Sequence, residues 1–163
     1  MLIQHPIPPL FDANSQVLIL GSFPSAKSRQ TVFFYGHPQN RFWRVLSAVT
    51  DCPLPATVAE KKALILRNRL ALWDVIGRCE ITGSSDSSIR NAEPNDLSVI
   101  LDACRIDAIY CNGATAWNLY QKHLYPKTKL PAVKLPSTSP ANAAWSLERL
   151  IEAWRVIKYK PEE

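Results

Sequence analysis

Four short apolar runs punctuate the chain: Gln16 to Leu20, Leu70 to Val75, Ala108 to Cys111 and Ala132 to Leu135. Each is too short for a helix and is followed by turn residues, which predicts strands buried on both faces. Helical spacing fills the intervals. Phe42, Val45, Leu46 and Val49 follow the i, i+3, i+4, i+7 rule, with Asn40 just ahead as N-cap. Thr57-x-x-Glu60 is a capping-box pattern opening a helix to about Asn68. Leu97, Ile100, Leu101 and Cys104 make another apolar face, and Trp117, Tyr120 and Leu124 a further one. The last helix is predicted to begin with Ser139 as N-cap and Pro140 at its first position, with Leu147, Leu150, Ile151, Trp154 and Ile157 along one stripe.

Strands that alternate with helices predict an α/β protein with a four-stranded parallel sheet covered on both faces, because parallel neighbours need crossover connections. In such sheets ligands bind beyond the carboxyl ends of the strands. Those ends read Gly21-Ser22-Phe23-Pro24-Ser25, Trp73-Asp74, Asn112-Gly113 and Leu135-Pro136-Ser137-Thr138-Ser139, so the site is expected along this rim. The stretch from Gly77 to Asn95 is the longest predicted loop, and neither repeat, low-complexity segment nor linker interrupts the chain.

The 163 residues suit a single domain, and 47% hydrophobic with 20% charged residues excludes disordered and fibrous classes. Val17 to Leu20 and Ala63 to Leu66 are far shorter than the ~18 residues of a membrane span. The N-terminus lacks the basic head and long apolar run of a secretory signal, so the expected compartment is the reducing cytoplasm. Four cysteines without a C-x-x-C pair fit no zinc template and are expected as free thiols. Nineteen basic against fourteen acidic residues give +5, a balance that suits a polyanionic partner without demonstrating one.

Two segments carry candidate chemistry. Phe33 to Trp43 packs five aromatics around a polar centre. It reads either as a helix entry, with Phe42 and Trp43 in the core, or as a pocket wall with an aromatic stacked on a planar ligand and an amide at its mouth. Ser137-Thr138-Ser139-Pro140 reads either as an ordinary cap or as an anion site at a helix N-terminus. Gly21-Ser22-Phe23-Pro24-Ser25 lacks both the G-x-G-x-x-G and the P-loop lysine patterns, which disfavours dinucleotides and nucleoside triphosphates. Of His5, His37 and His123 only His37 falls near the predicted rim, so no Ser/His/acid triad is expected.

Taken in order, these segments resemble the uracil-DNA glycosylase superfamily, and within it the hypoxanthine (deoxyinosine) DNA glycosylase branch. Gly21-Ser22-Phe23-Pro24 resembles its Gly-x-x-Pro first motif, His37-Pro38-Gln39-Asn40-Arg41-Phe42-Trp43 its H-P-x-N-R-F-W segment, and Pro136-Ser137 its Pro-Ser second motif. The resemblance spans residues 21 to 141 and implies a three-layer α/β/α fold. It further implies hydrolysis of the N-glycosidic bond of a deaminated base, hypoxanthine first and uracil second, flipped out of double-stranded DNA in base-excision repair.

Phe23 stands where many relatives carry Asp, Asn or Glu to handle the attacking water. In the hypoxanthine branch the resemblance moves that role to Asn40, whose amide can orient water but not deprotonate it. Backbone N–H groups of Gly21 to Ser25 would then meet the charge on the departing base. Base binding would fall to Ser22, Phe23, Tyr35 and Asn112, the last reading the base edge, and phosphate binding to Ser25, Ser137 and Ser139. Some relatives hold a four-cysteine cluster, but Cys52, Cys79, Cys104 and Cys111 lack its spacing, so no metal and no other cofactor is expected. The expected state is a monomer with no membrane association. Two other readings remain: a non-catalytic module that binds damaged DNA, motivated by Phe23, and a small-molecule nucleoside hydrolase on a similar sheet.

Overall fold

The computed structural model describes residues 2–158. In chain order it contains β1 (Ile3–Gln4), β2 (Val17–Gly21), α1 (Ala26–Thr31), α2 (Phe42–Thr50), α3 (Val58–Arg67), β3 (Leu70–Asp74), β4 (Ile76–Glu80) and β5 (Arg90–Pro94). There follow α4 (Ser98–Leu101), β6 (Ala108–Asn112), α5 (Ala114–His123), α6 (Tyr125–Thr128), β7 (Ala132–Leu135) and α7 (Leu147–Trp154). The strands β3, β2, β6 and β7 line up in that order, every neighbour parallel, and with the helices make the three-layer α/β/α sandwich.

β2 and the first four residues of β3 are apolar and buried because both faces are covered. Leu18, Ile19, Leu20, Leu70 and Ala71 are wholly inaccessible. At the edge, β7 leaves Val133 51% exposed, so this strand is covered less completely. The helices α2 and α7 pack on each other, α5 lies against β6 and β7, and α3 against β3. Thr57 and Glu60 form the expected capping box of α3.

Two expectations need correction. The stretch from Gly77 to Asn95 is not one long loop: β4 and β5 pair antiparallel within it, and β1 joins them in a second, three-stranded sheet. Its hairpin exposes Arg78, Arg90, Asn91 and Glu93, and the register shifts around Arg78, so no apolar run marks it in the sequence. The last helix starts at Leu147, capped by Ser146, whose hydroxyl accepts from Arg149 N–H. Ser139 and Pro140 open turns instead. Ser139 and Asn142 carbonyls accept from the N–H groups of Asn142 and Trp145 in successive turns, and the Arg41 guanidinium donates to these two carbonyls and to that of Trp145, which holds the segment in this form.

Candidate active site

Parallel register brings Asp74, Gly21, Asn112 and Leu135 into one row across the carboxyl ends of the four strands. Above that row opens a cleft of about 1010 Å³, lined by Ser22, Phe23, Tyr35, Asn40, Asp74 and Thr138 among others. The loops above it carry most of the polar groups, as carboxyl-end loops of parallel sheets do.

Asn40 stands one residue before the helical turn rather than as the cap of α2 itself, which is Arg41. Its Oδ1 accepts from Phe42 N–H at 2.9 Å and from the Thr138 hydroxyl at 2.8 Å. Because Phe42 N–H needs an acceptor, these contacts fix which end of the amide is oxygen. Thr138 is wholly buried and serves as a hub. Its N–H donates to Asn112 Oδ1 at 3.0 Å, its Oγ accepts from Asn112 Nδ2 at 3.0 Å, and its carbonyl accepts from Arg41 N–H. One hydrogen-bonded row thus runs from Asn40 through Thr138 to Asn112.

Tyr35 has φ 51°, a left-handed conformation that a bulky residue adopts only under strong local constraint. The constraint is packing, since its ring stacks on Phe42 with centroids 3.9 Å apart. Its buried hydroxyl finds no well-aligned partner. Burial, with the Asp74 charge adding, holds that hydroxyl well above the ordinary phenol range against the opposing influence of the Asn112 amide. Phe23 is also nearly buried, its ring edge-on to His5 and under the Arg29 guanidinium.

His5 corrects the expectation that only His37 reaches the rim. Its Nε2 lies 2.8 Å from Asp74 Oδ2, with the two side chains 2% and 5% exposed. Nδ1 accepts from Ile7 N–H, which leaves the proton on Nε2 and makes the ring the donor to Asp74. His37 lines the cleft as well, with Nδ1 accepting from Gln39 N–H.

The predicted hydroxyls divide into two groups. Ser22 donates to Asp86 Oδ1 at 2.7 Å, and Ser25 caps α1 while donating to Ser28 Oγ, so neither keeps a hydrogen for a ligand. Burial raises the Asp86 carboxyl above the usual range, the Ser22 hydrogen bond opposing and the Asp74 charge adding. Ser137 Oγ accepts from Ser139 N–H and Ser139 Oγ from Ala141 N–H, so both hydroxyl hydrogens remain to be donated. The helix expected to begin at Pro140 does not stand behind them, but the N-terminus of α5 lies alongside, with Gly113 packed on Ser137 and Ala114 and Thr115 lining the same cleft. Among the described residues, no cluster of His, Cys, Asp or Glu side chains forms a metal-holding group. Nor is any helix among them long and apolar enough to cross a membrane.

Thr138, Arg41 and His5 were not picked out as functional by sequence reasoning, whereas Asp74, at the end of the second apolar run, was the candidate for base recognition after Asn112. Thr138 hides between two serines that look more like phosphate ligands. His5 and Asp74 lie 69 positions apart, so the sequence marks Asp74 as a rim residue but gives no sign of its partner.

Fold and cleft together describe a hydrolase of the uracil DNA glycosylase kind, and residues 8–158 match the family model for the uracil DNA glycosylase superfamily. The chain belongs to that superfamily. It is 34% identical over 160 residues to the hypoxanthine DNA glycosylase of Methanosarcina acetivorans, covering 96% of this chain and 98% of that one. It is 35% identical over 108 residues to the hypoxanthine DNA glycosylase of Methanosarcina barkeri, covering 65% and 68%. A solution NMR structure from Methanosarcina acetivorans, of a protein assigned as a uracil DNA glycosylase, superposes with a TM-score of 0.76 at 30% identity, covering 96% of this chain and 99% of that one.

Proposed function

We propose that this chain is a monomeric, single-domain DNA glycosylase that hydrolyses the N-glycosidic bond of hypoxanthine in double-stranded DNA, with uracil as a poorer substrate. The observation that carries the reading is the fixed Asn40–Thr138–Asn112 row beside a cleft of purine-accommodating size. The target nucleotide flips into the cleft at a cost of a few kcal/mol, least where the base is mispaired. Tyr35 and Phe23 form aromatic walls. Ser137 and Ser139 donate to backbone phosphate, a contact that positions the strand without reading sequence. The four thiols suit the reducing cytoplasm in which we place the reaction.

Asn40 is the catalytic residue. Its oxygen accepts from Phe42 N–H and the Thr138 hydroxyl, which fix the plane of the amide. Oδ1 takes one hydrogen of the attacking water beside these two and aims that water at the sugar carbon. The amide orients and does not deprotonate, so the departing purine carries most of the charge development, met by N–H groups at the end of β2.

Asn40→Ala is expected to lower the single-turnover rate on an inosine duplex by at least about a hundredfold, as loss of a positioned group does. Loss of the turn contact alone costs ~1 kcal/mol of stability. Near-normal cleavage by a folded Asn40→Ala protein contradicts the assignment.

A further inference from the structure

The row that ends on Asn40 has a direction, and two backbone groups set it. Phe42 N–H and Thr138 N–H can only donate, so each asparagine turns its oxygen toward one of them. Asn40 Oδ1 then takes the single hydrogen of the Thr138 hydroxyl at 2.8 Å, and Asn112 presents its NH₂ to Thr138 Oγ at 3.0 Å. Turning over either amide would set donor against donor. Every polar group of Thr138 is committed within the protein: N–H and Oγ to Asn112 and Asn40, and the carbonyl to Arg41 N–H. Wholly buried, Thr138 cannot grip a phosphate in the way proposed for Ser137 and Ser139.

The two ends of the row differ in rigidity. Asn112 closes β6 and pairs in register with Leu135 of β7, whereas Asn40 lies in the irregular segment before α2. Thr138 therefore ties a loop amide to the end of the sheet. Threonine suits this place better than serine, because the β-branch restricts χ1 and a fixed χ1 aims the hydroxyl. Asn112, both of whose amide atoms face Thr138, anchors that hydroxyl and is less suited to reading a base edge. We propose that Thr138, held by Asn112, is a positioning residue for the reaction, its hydroxyl setting the plane in which Asn40 presents Oδ1 to water. This rests on the glycosylase reading above. Neither residue touches the reacting atoms, and both act through Asn40.

The test is single-turnover hypoxanthine release from an inosine duplex at increasing protein excess, which separates the maximal rate from the half-saturating concentration. Thr138→Val keeps the shape of the side chain and removes its hydroxyl. It is expected to lower the maximal rate at least about tenfold, as small misplacement of a reacting group does, and to change the half-saturating concentration by less than about twofold. Thr138→Ser returns the hydroxyl without the methyl group that fixes it, and is expected to recover most of the loss. Asn112→Ala is expected to lower the maximal rate on its own but to add less than about twofold in the Thr138→Val protein, because residues that act in series are not additive. Thr138→Val is expected to add equally little in the Asn40→Ala protein. A loss confined to the half-saturating concentration, no recovery with Ser, or full additivity along the row overturns the proposal. Thermal unfolding establishes that each variant is folded. If Thr138→Val is not, Thr138→Ala against Thr138→Ser makes the same comparison, since the hydroxyl is their only difference. Release by the unaltered protein is measured first. Its absence fails the glycosylase reading itself, whereas normal release with an unaffected Thr138→Val protein removes only the role of Thr138.

Discussion

At Gly21 a missing side chain makes room for two oxygens. A methyl group there would meet Asp74 Oδ1 at 2.4 Å and the Tyr35 hydroxyl at 3.0 Å. Neither is the free end of a flexible chain, since His5 holds Asp74 and Phe42 holds the Tyr35 ring. Gly21→Ala is therefore expected to lower stability by roughly 1–3 kcal/mol, the usual cost of overpacking. Its excision rate is expected to fall at least about tenfold further than Ala substitution at an exposed surface position, because the Tyr35 wall of the cleft must move. Thermal unfolding and single-turnover kinetics on the same preparation check both halves. The glycine itself was visible in the sequence as the end of an apolar run, but the oxygens it admits were not. They come from β3 and from an irregular segment before α2, and only the folded sheet brings them together.

Among the elements, the segment from Pro136 to Trp145 is held by a side chain far away in sequence. Arg41 bonds three of its carbonyls and, through its own N–H, that of Thr138. Lysine carries the charge but not the planar fork of donors. Arg41→Lys is expected to speed amide hydrogen exchange across residues 139–146 and to weaken DNA binding, while exchange in β2 and β6 stays protected. Uniform loss of protection would assign Arg41 a global role instead. The four parallel strands were legible because burial on both faces demands unbroken apolar runs such as Val17 to Leu20 and Leu70 to Trp73. The hairpin of β4 and β5 was not, because its exposed face and shifted register leave no alternation to follow. The start of α7 was misread for a different reason. Ser139-Pro140 and Ser146 both carry capping signals, and only the reach of Arg41 to the intervening carbonyls distinguishes them.

Across the whole molecule, the +5 charge acts with a cleft whose own walls hold carboxylates at Asp74 and Asp86. Attraction to the DNA backbone must therefore come from basic side chains around the cleft, while its interior selects the base. Hypoxanthine release from a duplex should accordingly decline with salt under sub-saturating conditions, whereas hydrolysis of a free nucleoside should not. The most direct measurement is single-turnover base release from duplexes carrying inosine, uracil, xanthine or a thymine mispair, with free deoxyinosine as control, at 50 and 200 mM salt. We predict fastest release from inosine opposite thymine, slower release of uracil, binding at least about tenfold weaker at the higher salt, and no reaction with the free nucleoside. Stoichiometric binding to inosine duplexes without abasic sites, or salt-insensitive hydrolysis of free deoxyinosine, would contradict the account.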